Sequence, residues 1–197
     1  MRNVLFVDAT VRPESRTKEL AVHLIQKLNG NVKKVKLVDE KLPVLDNDLL
    51  QWRNSAIDKG DYSSRYFDYA KDFAEADYIV IAAPYWDLSF PAILKNYIEA
   101  ITIVGLTFGY TDSGIPEGYC KARKLYYVTT SGGPLYGPEY GSGYIKAMAT
   151  QMFGVEQFQL IKAENLDIIG ADVGKIMADA KANINSMVSY EPSQAER

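Results

Sequence analysis

What this sequence has little of narrows it first. One cysteine in 197 residues, Cys120, excludes an internal disulfide framework and any multi-cysteine metal site. One histidine, His23, leaves too few ligands for an ordinary zinc centre, so no metal is expected. No stretch approaches the ~18 apolar residues of a membrane span. The opening MRNVLFVDAT carries too short an apolar run for a secretory signal. A cytoplasmic chain with no membrane partner is the expectation. Lysine and arginine number 22 against 25 acidic residues, a net charge of −3, so no nucleic-acid partner is expected either. After the first apolar run there is neither a GxxxxGKS/T loop nor a GxGxxG loop, which sets aside the triphosphate and dinucleotide fingerprints.

What is present fits an ordinary globular chain. Hydrophobic residues make up 47% and charged residues 24%, enough for a real core. The expectation is one domain over residues 1–197, with a loop and β excursion at about 105–122 and a frayed tail from about 190. The 14 tyrosines exceed core needs, and such an excess often marks flat-ligand sites or subunit interfaces.

The chain is organised around residues 77–107. Residues 77–83 are an apolar, β-branched run that reads as a strand buried on both faces. Pro84 must end it, because proline cannot donate to a sheet ladder. Tyr85, Trp86, Asp87 and Leu88 then bend the chain. Ser89 is an N-cap type and Pro91 suits a first helical turn. Leu94, Ile98 and Ile101 follow at helical spacing. An aromatic loop thus lies between a strand's carboxyl end and a helix's amino end, where open α/β sheets bind ligands. Two readings of it stand. A flat ligand lies against Tyr85 and Trp86, or these rings only cover the sheet.

Two more loops have the same placement. Residues 3–8 read as a first strand, and Leu20, Leu24, Ile25 and Leu28 as the stripe of the helix after it. Between them lie Thr10, Ser15, Arg16 and Thr17. A helix start with hydroxyls and a guanidinium suits a phosphate; alternatively Ser15 only caps and Arg16 is a solvated charge. Residues 124–130 read as a fourth strand, ending in Thr130, Ser131, Gly132 and Gly133. Two glycines there let a ligand approach the backbone, or form a plain turn. Residues 32–38 and 155–163 read as the second and fifth strands, and residues 49–57, 62–75, 144–153 and 171–189 as helices. Residues 135–143, with Tyr136, Pro138 and Tyr140, read as a lid or interface loop. Five strands alternating with helices predict an α/β fold with helices on both faces of a parallel sheet. A flavodoxin-like order 2-1-3-4-5 gives the three loops one shared site.

An ordered series of short motifs carries a resemblance that runs from Val4 to about Phe158. It comprises Ala83-Pro84, Leu94-Lys95-Asn96-Tyr97, Gly105-Leu106-Thr107-Phe108 with Tyr110-Thr111, Pro116-Glu117-Gly118, and Thr130-Ser131-Gly132-Gly133. In these the chain resembles the FMN-dependent NAD(P)H:quinone oxidoreductases and azoreductases of flavodoxin-like fold. The resemblance implies FMN as cofactor, with its phosphate at Thr10, Ser15, Arg16 and Thr17. It implies that Pro84, Tyr85, Trp86, Asp87 and Leu88 flank the flavin ring and ribityl chain. It also implies that Thr130, Ser131, Gly132 and Gly133 meet the ring's other edge, and that the protein is a homodimer. Three positions depart from the family pattern. Asp87 replaces a neutral amide and, as a carboxylate, would lower the flavin potential. Ser131 replaces an arginine common in azoreductases, and Trp86 replaces a smaller tyrosine.

The chemistry implied is ping-pong transfer of a hydride from NADH or NADPH through FMN to a quinone-like or azo-like small-molecule acceptor. No protein acid or base is required, so no catalytic side chain is expected. Tyr136 and Tyr140 are candidates for the acceptor pocket, and His23 is read as structural. A flavodoxin-like electron carrier without its own NAD(P)H oxidation is the alternative. A scaffold that has lost the flavin is a third reading.

Overall fold

The structure is a computed structural model that describes residues 2–137 and 140–189. The tail expected from about 190 lies outside the described residues, as does Pro138.

The elements follow in chain order. Strand β1 (Asn3–Asp8) leads to helix α1 (Arg16–Leu28), then β2 (Asn31–Lys36), a short α2 (Leu37–Glu40) and α3 (Asn47–Asp58). Next come α4 (Asp68–Glu75), β3 (Tyr78–Ala82) and α5 (Ala92–Ile101). A two-stranded hairpin, β4 (Phe108–Tyr110) with β5 (Pro116–Gly118), fills the expected excursion. Then come β6 (Lys124–Thr130), α6 (Ser142–Ala147), a π-helical turn (Met148–Met152), β7 (Gln157–Ala163) and α7 (Val173–Ser189). Five strands pair in parallel in the order β2-β1-β3-β6-β7, with the hairpin as a separate sheet.

Alternation along the strands builds the two faces. Leu5 and Val7 of β1 pack with Ile79, Ile81, Leu125 and Tyr127 under Phe73, Leu94, Tyr97, Ile98 and Phe153. Val4 and Phe6 point the other way, with Tyr78, Val80, Tyr126 and Val128, against Leu20, Leu24, Leu28 and Ile184. Every residue of β3 is buried, as its unbroken apolar run requires in a sheet covered on both faces. Each fully buried leucine of the α1 stripe contributes about 2 kcal/mol of transfer free energy. Their helix is well bounded. Ser15 caps it, accepting from the Lys18 N–H, and Asn29 closes it in the left-handed region at φ 48°. His23 lies on α1, and its Nε2 is 2.9 Å from Asn185 Oδ1 of α7.

Several boundaries differ from expectation for local reasons. The helix expected over 62–75 reduces to a 3₁₀ turn at Arg65–Phe67 followed by α4. Asp61 accepts from the N–H and Oγ of Ser63, and Ser64 from the Tyr66 N–H, so side chains hold the backbone in turns. The second strand stops at Lys36, where α2 begins. The helix expected over 144–153 starts at Ser142 and passes into the π-helical turn. Ser89 does not cap α5. Pro91 holds that position without a side-chain bond, and the Ser89 hydroxyl donates to the Tyr140 carbonyl at 2.8 Å. No helix among the described residues is long and apolar enough to cross a membrane. No cluster of His, Cys, Asp and Glu among them suits a metal ion.

Candidate functional site

Parallel strands put all their carboxyl ends at one edge of the sheet, so the loops after β1, β3, β6 and β7 gather there. They enclose a cleft of about 320 Å³. It is lined by Ser15, Arg16 and Thr17 on one side, Pro84, Tyr85 and Trp86 on another, and Thr130, Ser131 and Gly132 on a third. The sequence spreads these three groups over residues 15–132; the topology joins them.

The first wall is the start of α1. The opening N–H groups of a helix have no acceptor within it and carry partial positive charge. Arg16 stands there, donating from Nη1 to the Leu166 carbonyl at 3.0 Å and from Nη2 to Asp167 Oδ1 at 2.7 Å. Thr17 is buried, and its hydroxyl meets that of Thr130 at 2.7 Å. Thr10 is placed differently. It is buried, and its hydroxyl donates to Asp8 Oδ1 at 2.6 Å rather than lining the cleft. Asp8 is itself buried, with Lys34 Nζ at 3.1 Å from its other oxygen.

The second wall is the aromatic loop. Trp86 and Ser89 exchange backbone hydrogen bonds of 3.1 and 2.8 Å across a two-residue turn. Both turn residues, Asp87 at φ 52° and Leu88 at φ 65°, sit in the left-handed region without a glycine. That conformation costs a non-glycine residue of order 1 kcal/mol or more. The turn holds Trp86 at the cleft while Asp87 and Leu88 stand exposed beyond its lining. The Tyr85 hydroxyl donates to the Tyr136 carbonyl, so this loop is strapped to the one after β6. Tyr136 and Tyr140 meet the aromatic loop through their backbones, and their rings are exposed.

The third wall is the end of β6. The Ser131 N–H continues the ladder to Ala163, and its Oγ donates to the Gly133 carbonyl at 2.5 Å. Gly132 lies under the Asp167 carboxylate: a Cβ there would meet Oδ2 at 2.5 Å. Gly133 lies outside the lining, with open space where its Cβ would be. The residues after β7 form a fourth wall that sequence reasoning missed. Leu166 and Asp167 line the cleft, and their N–H groups donate to the Ser131 and Gly132 carbonyls at 3.1 and 2.9 Å. Glu164 anchors the β6 loop by accepting from the Leu135 N–H at 2.7 Å. Burial pushes its carboxyl up, but bonds from Lys162 and Leu135 and the Lys162 charge hold it below the usual value. The only local signal was a run of polar residues after a strand.

The cleft therefore offers hydroxyl, amide and guanidinium donors together with two aromatic side chains. That set suits a flat ligand with an anionic tail. Nucleophilic chemistry has no support in the lone thiol: Cys120 is half-buried, and burial pushes its pKa up to about 12.

A model for the Flavodoxin_2 family, described as flavodoxin-like fold, matches residues 2–188. This chain belongs to the Flavodoxin_2 family. Among its relatives, an FMN-dependent NADH:quinone oxidoreductase of Lachnoclostridium phytofermentans is 37% identical over 191 residues, covering 92% of this chain and 95% of that protein. FMN-dependent NADH:quinone oxidoreductase 2 of Clostridium acetobutylicum is 35% identical over 189 residues, covering 90% and 93%. Among solved structures, an azoreductase from Bacillus anthracis superposes with a TM-score of 0.82 at 25% identity, over 97% of this chain and all of that one. The Flavodoxin_2 fold of this chain is thus shared along nearly its whole length.

Proposed function

We propose that this protein is an FMN-dependent oxidoreductase that passes electrons from NADH or NADPH to a quinone-like or azo-like small molecule. The observation that carries the reading is the cleft itself. It gathers a helix start bearing Ser15, Arg16 and Thr17 with Tyr85, Trp86 and Gly132 at the carboxyl edge of the sheet. The relatives named FMN-dependent NADH:quinone oxidoreductase cover the same length of chain.

The residues fit the cofactor by the chemistry of their donors. Ser15, Arg16 and Thr17 would hold the phosphate, with the α1 N–H groups behind them. Tyr85 and Trp86 would flank the ring. Gly132 would present backbone rather than side chain to the ring's opposite edge. The chemistry that bound FMN supplies is ping-pong transfer of a hydride equivalent from NAD(P)H to the acceptor. The protein's part is to position the ring, leave one face open and limit water. Asp87 and Leu88 contribute by holding the turn that aims Trp86. Thr10 braces the loop after β1 through Asp8, and Ser131 and Gly133 shape the loop after β6.

The reading extends to a homodimer. Trp86, Leu88, Tyr136 and Tyr140 are large exposed apolar side chains on the linked loops around the cleft mouth, a composition suited to a subunit interface. The acceptor would then bind between subunits, beside Tyr136 and Tyr140.

The test is the visible spectrum of the purified protein supplied with FMN, then with NADH or NADPH under nitrogen. Flavin bands should bleach with the pyridine nucleotide and recover with a benzoquinone. Bound flavin that does not bleach would instead indicate an electron carrier, and no flavin binding would remove the assignment. Sedimentation of the same sample should give about twice the chain mass.

A further inference from the structure

Asp167 occupies the cleft in two ways. Its Oδ1 accepts from Arg16 Nη2 at 2.7 Å, and its Oδ2 stands over Gly132, where a Cβ would meet it at 2.5 Å. Its own N–H donates to the Gly132 carbonyl at 2.9 Å, which ties the backbone at Asp167 to the loop after β6. The guanidinium is held from a second side by the Leu166 carbonyl at 3.0 Å. The charges lining the cleft cancel formally: Arg12 and Arg16 against Glu14 and Asp167.

This is an unusual provision for an anionic ligand tail. The cation best placed for it is already neutralised by the chain's own carboxylate. We propose that Asp167 is a specificity-determining residue that competes with the flavin phosphate for Arg16. It thereby sets how strongly the cleft prefers a phosphorylated flavin over an unphosphorylated one. The inference rests on the assignment of the cleft to FMN.

The pair is suited to exchange. Its side chains are 37% and 66% exposed, and ion pairs that open to water are weak. A phosphate taking Arg16 must displace the carboxylate or share the guanidinium with it. Either way a doubly charged group comes to rest near a carboxylate whose backbone is anchored to the loop after β6, and like charges repel. A flavin without phosphate makes no claim on Arg16 and meets no such repulsion.

The test uses the full chain stripped of flavin and titrated with FMN and with riboflavin, following quenching of flavin fluorescence at low salt. Asp167→Asn keeps an acceptor oxygen for Arg16 and removes the charge. It should tighten FMN about tenfold and leave riboflavin within about twofold. Asp167→Ala should also tighten FMN. Unchanged or weaker FMN binding in Asp167→Asn would overturn the proposal, as would an equal gain for riboflavin. Weaker FMN binding in Asp167→Ala alone would show that Asp167 only positions Arg16, which also overturns it. If the wild-type chain binds neither flavin, the cleft assignment fails and this proposal with it. If it binds both and the ratio ignores Asp167, the assignment survives and only this proposal fails.

Discussion

Thr17 and Thr130 share a buried hydroxyl–hydroxyl hydrogen bond of 2.7 Å that ties the first turn of α1 to the last residue of β6. The two residues are 113 positions apart, and the bond fixes the distance between two walls of the cleft. Replacing either one by valine strands the other hydroxyl in a buried place, at about 1–3 kcal/mol. The double replacement should cost less than the sum of the two, by about 1 kcal/mol, in a double-mutant cycle read by urea unfolding. Strict additivity would mean that the bond contributes nothing.

The turn at Asp87 and Leu88 should be improvable. Two-residue turns with both central residues at positive φ favour glycine and asparagine, and this one has neither. Leu88→Gly should therefore leave stability unchanged or raise it by up to about 1 kcal/mol, although glycine loosens the unfolded chain. Thermal melting measures this. A clear loss would mean that the exposed Leu88 side chain makes a contact that matters.

Gly118 should tolerate no side chain. A Cβ there would lie 2.1 Å from the Phe153 carbonyl carbon and the Gly154 nitrogen, both backbone atoms. No rotamer change relieves such a clash. Gly118→Ala should cost at least about 3 kcal/mol, comparable to severe overpacking. Melting temperature and soluble yield should both fall.

Acid should loosen the β6 loop through Glu164. Its folded pKa lies below the ordinary value of 4.5. The stability it contributes is thus present above the unfolded value and is lost as pH falls through the folded one. Glu164→Gln should flatten that part of the profile when melting temperature is followed from about pH 7 down to about pH 3. A profile identical to wild type would exclude the role.

Much of this architecture was legible in the sequence because burial leaves a plain trace. Val4 to Val7 and Ile79 to Ala83 read as strands since a sheet covered on both faces needs unbroken apolar runs. Ser15 read as a cap since few residues precede an apolar stripe with a free hydroxyl. Pairings with no local trace stayed hidden. Nothing near Arg16 in the chain announces Leu166 or Asp167, which the fold delivers from 150 positions away. Thr10 looked like a ligand hydroxyl because its partner, Asp8, is a matter of side-chain direction rather than composition. Ser89 looked like a cap because the turn that engages its backbone depends on left-handed residues the sequence does not advertise.

The lysines of β2 carry a consequence for how copies of this chain can meet. Among the described residues β2 pairs only with β1, at the end of the sheet. Lys33, Lys34 and Lys36 stud that border, each held by a nearby aspartate. A neighbouring strand adding there would have to strip water from these ammonium groups, a barrier that guards natural sheets against runaway stacking. The β2 border is thereby guarded against the addition of a further strand.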